Sequence, residues 1–296
     1  MKIAFIILAY KNPSQLRELV ESLLHEDHFF YIHIDKEKNI EPFEAELNKL
    51  PVASNIIYLS RQNSYWGSFQ CVKVMLNGLT EAFDSKQEFD YFIHLSGQDF
   101  PVVSTNKIRE QLTNSIPYSY FYNFAFEEGP WTNKGRDRIY SFQFFIGKKR
   151  FILHRQNKNP ILKFLFNLCH YFAKLIDKGR AFYGGEFYFM LHRTGVKVLL
   201  ENVKSNFIFS KRLKYTLIPE EIFIPTMLFQ KNKKGREHLI KNNTLRYINW
   251  AEAHSSPKIL DKTDLAIING KEYLFARKFD FETYPEILAE LKLMRL

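Results

Sequence analysis

Hydrophobic residues in the first hundred positions fall into short continuous runs separated by helically spaced sets. The runs at 2–9, 29–35, 55–59 and 91–95 are typical of parallel strands covered on both faces. Between them, leucines and valines recur every three or four residues, as on the buried side of an amphipathic helix. This alternation predicts an α/β fold, Rossmann-type, with a mostly parallel sheet and helices on both faces.

Helix boundaries can be placed only approximately from the same pattern. Ser14 stands before the leucines of the first helical set and is expected to cap that helix. A charged segment near 41–50 and a set from Val72 to Leu79 predict two further helices of the first half.

The pattern becomes mixed after about residue 115. Residues 118–126 are aromatic and strand-like, and residues 131–138 predict a polar loop. An apolar helix edged with lysines is expected over 160–176, and it could lie on a membrane or pack against the core. We therefore expect one domain, 1–296, with a regular half, 1–115, and a mixed half, 116–296.

Composition narrows the class of protein further. The 296 residues are 46% hydrophobic, which fits a folded domain, and the formal net charge of +10 suggests an anionic partner such as a nucleotide diphosphate, a nucleic acid or a membrane surface. Cys71 and Cys169 are too few for a disulfide scaffold or a cysteine zinc site. No run is long enough to span a bilayer, so we expect a cytoplasmic chain, peripheral to a membrane at most.

Ligands of doubly wound sheets bind beyond the carboxyl ends of the strands. The candidate residues there are Tyr10 after the first strand, Asp35 after the second and Arg61 after the third. Gly97 and Asp99 follow the fourth strand, where the glycine lets backbone approach a ligand. Taken alone, Asp35 is more typical of a turn residue than of a ligand contact.

Asp99 is the one acidic residue directly after the fourth strand, where a metal site would usually have a pair of carboxylates. A divalent ion normally recruits one or two carboxylates together with substrate phosphates. No strict Asp-x-Asp motif occurs, and the looser matches at 35–37, 88–90 and 280–282 do not follow the fourth strand. The sequence therefore favours a site without metal, with Asp99 as a weak metal ligand as the alternative.

Charged residues of the last third have a functional and an ordinary interpretation. Glu220 and Glu221 precede an apolar run, where acids often complement a helix dipole but could also act as a general base. Cations in apolar segments could hold a diphosphate, or could form ion pairs with Asp280, Glu282 and Glu252. The cations in question are Arg246, Lys258, Arg277 and Lys278.

Two further features concern substrate contact. Gly184 and Gly185 precede a run of aromatic residues that predicts a strand to Phe189, and they suit either a floor for a sugar or a bulged core strand. Trp66 and Trp250 could offer aromatic faces.

In their order along the chain, these motifs resemble the family of core-2/I-branching β-1,6-N-acetylglucosaminyltransferases and peptide O-xylosyltransferases. That family is inverting and has a GT-A-like fold. The resemblance covers nearly the whole chain and rests on residues 9–11, 31–36, 66–68, 95–101, 184–187, 219–221, 245–250 and 275–279.

The resemblance implies roles for individual residues. Glu221 matches the general base that deprotonates the acceptor hydroxyl, Lys278 matches the diphosphate lysine, and Asp35 matches the nucleoside-contacting aspartate. Arg246 and Lys258 compete for the place of a second diphosphate cation. Members of the family act without a divalent metal, so we expect no cofactor. The wall of the sugar and acceptor site would include Gly97, Asp99, Trp66, Gly184, Gly185, Glu186 and Trp250, with Tyr10 and Arg61 on the nucleotide side.

The resemblance thus implies a transferase that moves N-acetylglucosamine from a UDP-sugar to a hydroxyl of a glycan or glycolipid acceptor. UDP-xylose as donor and a metal-dependent GT-A enzyme are the alternatives. A non-catalytic protein that binds nucleic acid or an anionic surface is an alternative of another class, although no nucleic-acid module is recognisable and we expect no nucleic-acid partner. Acceptor, linkage and oligomeric state stay open.

Overall fold

Short strands of the N-terminal and C-terminal halves combine into several sheets. The computed structural model describes residues 1–51, 55–230, 239–251 and 256–295. Its strands are β1 (Ile3–Ala9), β2 (His28–Ile34), β3 (Ile56–Tyr58), β4 (Tyr91–Ser96), β5 (Asp99–Pro101), β6 (Ser119–Tyr120), β7 (Asn123–Ala125), β8 (Phe142–Ile146), β9 (Lys149–Leu153), β10 (Tyr183–Gly185), β11 (Met190–His192), β12 (Ile240–Lys241), β13 (Arg246–Ile248) and β14 (Phe275–Arg277).

Helices connect most of these strands. Within the described ranges, the 3-10 turns Thr132–Gly135 and Pro219–Glu221 add to the α-helices. The α-helices are α1 (Pro13–Ser22), α2 (Glu41–Leu47), α3 (Phe69–Asp84), α4 (Thr105–Thr113), α5 (Arg136–Ile139), α6 (Pro160–Asp177), α7 (Arg193–Ser205), α8 (Phe207–Leu213), α9 (Phe223–Phe229), α10 (Lys262–Ile268) and α11 (Glu286–Met294).

The largest sheet within the described residues has seven strands in the order β12-β6-β11-β4-β1-β2-β3. β1 pairs in parallel with β2 and β4, and β2 pairs in parallel with β3. β11 runs antiparallel to its neighbours β4 and β6, whereas β6 and β12 are parallel. The predicted α/β fold with a mostly parallel sheet is therefore confirmed.

Hydrophobic residues of β1 alternate between two cores, because successive side chains of a strand point to opposite faces. Ile3, Phe5 and Ile7 pack in the core with residues of α1, α2, α4, α10 and α11. Ala4 and Ile6 pack in the other core with residues of α3, α7, α8 and α9. Helices thus cover both faces of the sheet, as predicted.

A small sheet beside the main one carries the charged residues of the last third. β14 lies between β13, with which it is parallel, and β5, with which it is antiparallel. In this register Arg277 is directly opposite Asp99. The small sheet therefore brings segments distant in sequence to the turn that follows β4.

Several predicted boundaries were wrong. α1 begins at Pro13 and its cap position is Asn12 rather than Ser14, because proline suits the first helical residue, where no N–H is needed. The aromatic residues 186–189 do not form a strand, since β10 ends at Gly185 and β11 begins at Met190. Residues 131–138, predicted as a polar loop, contain a 3-10 turn and the start of α5.

Candidate active site

Three of the predicted residues meet where β1, β2 and β4 end. The backbone N–H of Asp35 donates to the carbonyl oxygen of Ala9 at 3.0 Å, and that of Gly97 donates to Leu8 at 2.9 Å. The Tyr10 hydroxyl donates to Oε1 of Gln98 at 3.1 Å. Tyr10, Asp35 and Gly97 therefore share the carboxyl edge of the parallel sheet.

Asp35 is buried and organises the loop that follows β3. Its Oδ2 accepts from the backbone N–H of Ser64 at 2.8 Å and from the Ser64 hydroxyl at 2.6 Å, while Oδ1 accepts from the N–H of Glu37 at 2.9 Å. Burial alone would raise the pKa of Asp35, but these hydrogen bonds outweigh it and lower the pKa. Asp35 is therefore an ionised carboxylate in a turn, as the ordinary interpretation of this residue predicts, and its contact with a nucleoside stays a prediction.

The guanidinium group of Arg61 donates hydrogen bonds to the backbone of the same turn. Its Nη2 donates to the carbonyl oxygens of Asp35 at 3.0 Å and Lys36 at 3.2 Å, and also to that of Lys38. These contacts tie the segment after β3 to the end of β2. Arg61 therefore shapes this edge of the sheet through backbone contacts, and its contact with a nucleotide stays a prediction.

Asp99 is fully buried beneath this edge, where two guanidinium groups hold it. Its Oδ2 accepts from the backbone N–H of Ser96 at 2.8 Å and from the Ser96 hydroxyl at 2.5 Å. Nε of Arg246 lies 3.0 Å from Oδ1, and Nε of Arg277 lies 3.7 Å from Oδ2. Asp99 has no exposed surface, so its predicted place in the wall of a sugar site is wrong.

The ring of Tyr188 lies against the same two arginines. The guanidinium carbon of Arg246 is 4.5 Å from the ring centroid and that of Arg277 is 4.2 Å from it. Burial raises the pKa of Tyr188 to about 12, so the ring stays neutral. Burial likewise raises the pKa of nearby Glu186, against the lowering effect of Arg246.

Arg246 is enclosed in this buried network. Only 1% of its side chain is exposed, and its Nη2 donates to the carbonyl oxygen of His94 at 3.1 Å. A guanidinium held by Asp99, Tyr188 and a backbone carbonyl does not reach solvent. Arg246 is therefore too buried to contact a diphosphate, and its prediction as a second diphosphate cation is wrong.

Lys258, its competitor, is held by acids. Its Nζ lies 2.8 Å from Oδ2 of Asp261 and 3.0 Å from Oδ2 of Asp264. The hydrogen bonds that the Lys258 ammonium donates to these two carboxylates raise the pKa of Lys258. Lys258 stabilises the start of α10, where Asp261 and Asp264 form a capping box.

Lys278 differs from both competitors. Its Nζ donates to the Ser256 hydroxyl at 3.0 Å, and within the described residues no carboxylate lies at ion-pair distance from it. Burial lowers the pKa of Lys278, and the charges of Arg277 and Lys11 lower it further. A half-buried ammonium without an acidic partner is suited to an anionic ligand.

The acidic residues expected to pair with these cations have other partners or lie outside the described residues. Asp280 pairs with Lys11 at 2.5 Å and accepts from the Asn12 amide at 3.1 Å. Arg277 pairs with Asp99 and not with Asp280, and Glu252 lies outside the described residues. The ion pairs offered as the ordinary explanation of Lys278 are therefore absent from the part of the chain that the structure describes.

Hydrogen bonds fix the backbone around Lys278 to the sheet edge. The N–H of Phe279 donates to the carbonyl oxygen of Gln98 at 2.9 Å. The amide of Gln15 donates to the carbonyl oxygens of Gly97 at 2.9 Å and Phe279 at 3.2 Å. Lys278 is thus held beside the turns that follow β1 and β4.

Glu220 and Glu221 occupy the 3-10 turn before α9 rather than the first turn of the helix, which begins at Phe223. Glu220 is buried, its Oε1 accepts from the N–H of Gly67 at 2.8 Å, and burial raises its pKa to about 8. Glu221 is partly exposed, and its Oε2 is bound by Nη1 of Arg138. The turn therefore presents Glu221 outward and uses Glu220 as a support.

The glycines and tryptophans of the predicted wall have separate roles. A Cβ on Gly184 would lie 2.6 Å from Phe124 and Trp131, and one on Gly185 would lie 2.3 Å from the carbonyl oxygen of Tyr122. Both glycines therefore allow β10 to approach β7 closely, and neither is an open floor for a sugar. Trp66 and Trp250 are 64% and 54% exposed and remain available for stacking on a ligand.

Sequence reasoning missed two residues of the site. Arg138 forms an ion pair with Glu221, and its guanidinium carbon lies 3.9 Å from the centroid of the Trp131 ring. The segment that contains Arg138 was predicted as a polar loop. The Tyr188 ring contacts the guanidinium groups of Arg246 and Arg277, although its run was predicted as a strand. The excess of cations over acids in the last third was the available signal for a buried partner such as Asp99.

A model of the Core-2/I-Branching enzyme family matches residues 3–269. The chain belongs to this family. The family model favours the enzymatic interpretation over a non-catalytic protein that binds nucleic acid.

Among curated proteins the chain is similar to xylosyltransferases. It is 26% identical over 315 residues to xylosyltransferase 1 of Rattus norvegicus, with 98% of this chain and 35% of that protein covered. It is 27% identical over 314 residues to xylosyltransferase 2 of the same organism, with 97% and 33% covered. The chain thus spans about a third of the length of these relatives.

Among solved structures the chain is similar to 4-diphosphocytidyl-2C-methyl-D-erythritol synthase from Anaerococcus prevotii. The TM-score is 0.40 at 10% identity, with 90% of this chain and 94% of that chain covered. A likeness of this size carries no argument about function.

Proposed function

We propose that this family member is an inverting glycosyltransferase that uses a UDP-sugar donor and a hydroxyl of a glycan or glycolipid as acceptor, without a metal. The observation that carries the proposal is the half-buried ammonium of Lys278 at the carboxyl edge of the parallel sheet, without an acidic partner in the described part of the chain. A fixed positive charge of this kind can neutralise a leaving diphosphate.

Glu221 is the proposed general base. Its Oε2 is bound by Arg138, and Oε1 accepts no hydrogen bond from the described residues. In the reaction Oε1 takes the proton of the acceptor hydroxyl while that oxygen forms a bond to the anomeric carbon. The bond between the anomeric carbon and the diphosphate breaks, and UDP leaves with the electron pair beside Lys278.

An open cleft beside the segment of Arg138, the ion-pair partner of Glu221, is the proposed place of the acceptor. It has a volume of about 1610 Å³, and its lining includes Tyr140, Arg136 and Leu217. The N–H of Leu217 donates to the carbonyl oxygen of Arg138 at 2.8 Å, so the cleft adjoins the segment that holds Glu221. Such a space is larger than most small-molecule pockets and suits several sugar units.

The donor sugar has two candidates. N-acetylglucosamine is the sugar that the resemblance to the branching enzymes implies, and the xylosyltransferase relatives favour UDP-xylose. A screen of UDP release from UDP-N-acetylglucosamine, UDP-xylose and UDP-glucose decides between them. Release above the rate of hydrolysis with only one of them identifies the donor.

Metal independence rests on the surroundings of Asp99. A divalent ion at this carboxylate would compete with two guanidinium groups and the hydroxyl of Ser96, so the residue does not fit a metal ligand. We expect transfer to continue in excess EDTA. Activity that EDTA abolishes and manganese restores would instead support the metal-dependent alternative.

The base is tested with Glu221→Gln, which keeps the shape of the side chain and removes its ability to accept a proton. We expect kcat to fall by a factor of about 10² to 10⁴ while UDP binds as before. Glu220→Gln is the matched control, because Glu220 is adjacent but buried, and it should retain transfer. Normal turnover of the Glu221 variant would disprove the assignment.

A further inference from the structure

Helix α6 has two apolar faces, of which the core uses one. Phe166 and Ala173 are buried against residues of the β8–β9 hairpin, including Phe142. The opposite face is exposed to solvent along four turns. Its members recur every three or four residues and are Ile161, Phe164, Leu165, Leu168, Tyr171, Phe172 and Leu175.

This exposed face is far more apolar than a solvated helix surface. Ile161, Phe164 and Tyr171 are 70%, 67% and 61% exposed, and the stripe spans about a third of the helix circumference at 3.6 residues per turn. Contiguous exposed patches of this kind mark interaction sites. Lys163 and Lys174 lie on one side of the stripe by helical spacing, and Lys178 follows at the C-cap of the helix.

The charge around α6 is strongly one-sided. Residues 142–180 contain nine lysines and arginines and one acid, Asp177. Asp177 is buried and pairs with Arg212 at 3.2 Å, so it contributes no negative charge to the surface. The partner of the apolar face must therefore tolerate, or attract, a dense positive charge.

We propose that α6 binds the surface of an anionic lipid bilayer, with its exposed apolar stripe in the headgroup region and its lysines on lipid phosphates. An amphipathic helix with bulky apolar residues on one face and lysines beside them is suited to this position. None of the helices in the described ranges is long and apolar enough to cross a membrane, so α6 lies on the bilayer. A second copy of the chain fits less well, because a symmetric contact through α6 would oppose the two basic surfaces.

The test is co-sedimentation of the whole chain with vesicles of phosphatidylcholine, alone or mixed with phosphatidylglycerol. We expect binding to the mixed vesicles and little to the neutral ones. The double variant Phe164→Asp, Phe172→Asp should bind the mixed vesicles at least about tenfold more weakly. Reversing two lysines, Lys163→Glu with Lys174→Glu, should weaken binding about tenfold or more.

Leu293→Asp is the matched control, because Leu293 is 69% exposed on α11 and should be replaceable without loss of vesicle binding. Circular dichroism and the melting temperature confirm that each variant is folded. Two results would overturn the proposal. One is equal binding of the wild type and the double aspartate variant, and the other is a wild-type dimer in sedimentation equilibrium that this variant dissociates, without vesicle binding.

Discussion

Replacing Asp99 with asparagine probes the buried charge network below the candidate active site. Asparagine keeps the size of the side chain, and its oxygen can still accept from Ser96, so the change removes mainly the negative charge. Arg246 and Arg277 would then share a buried site without a counter-charge, since Nε of Arg246 lies 3.0 Å from the carboxylate in the native protein.

The expected cost follows from the burial of the network. Asp99 is 0% exposed and the side chain of Arg246 is 1% exposed, so water cannot replace the lost charge. Removing one partner of a buried ion pair typically costs about 3–5 kcal/mol. We expect the Asp99→Asn variant to lose about this much of its free energy of unfolding.

Urea denaturation followed by circular dichroism measures this free energy. Glu290→Gln is the control, because Glu290 pairs with Lys262 at 2.7 Å on the surface. Such exposed pairs contribute about 0–1 kcal/mol, so this variant should unfold close to the wild type.

A loss of less than about 1 kcal/mol for Asp99→Asn would refute the reasoning. A second informative result is normal stability together with lost activity and lost manganese binding. That combination would make Asp99 a metal ligand and restore the metal-dependent alternative.

Further variants test individual side chains of the site. Lys278→Ala should weaken UDP binding about tenfold or more in calorimetry, because a charge-assisted contact is lost, and should leave uridine binding unchanged. Lys258→Ala should leave UDP binding unchanged, since that ammonium is held by two aspartates, and equal losses would contradict the choice of Lys278. Asp35→Ala should weaken UDP and uridine alike, and selective loss of UDP would contradict a nucleoside contact. Burial raises the pKa of Glu220 to about 8, so the folded state retains a proton that the unfolded state releases near pH 4.5. The unfolding free energy should therefore fall as pH rises towards 8, by at most about 1.4 kcal/mol per pH unit, and Glu220→Gln should flatten this slope in urea titrations.

The fold was predictable where a local hydrophobic pattern determines the secondary structure. The apolar run at Ile3–Ala9 and the next three runs became β1 to β4, because strands covered on both faces require continuous hydrophobic residues. The positions of Asp35 and Gly97 followed from the rule that parallel strands end at one edge. The ends of helices depend on single residues and were harder to predict. Pro13 places the start of α1 one residue before the predicted cap, Ser14.

The partners of the charged residues were not predictable in the same way. Asp99 and Arg246 are separated by half of the chain, and only the register of β5, β14 and β13 brings them together. The local sequence shows that Lys258 and Lys278 both stand in apolar segments. It does not show that Lys258 forms ion pairs with Asp261 and Asp264, whereas Lys278 has no such pair in the described residues. The ion pair of Glu221 with Arg138 likewise depends on a contact between distant turns.

β11, which runs antiparallel to its neighbours β4 and β6 in the large sheet, also determines how the chain can be divided in the laboratory. β11 covers the edge of β4 and joins it to β6, so strands after residue 115 complete the sheet begun before it. A fragment ending near residue 115 would expose the unpaired edge of β4, which is a template for aggregation. A fragment built on residues 1–115 should therefore extend through His192, and a split-protein reporter should be cut outside this sheet.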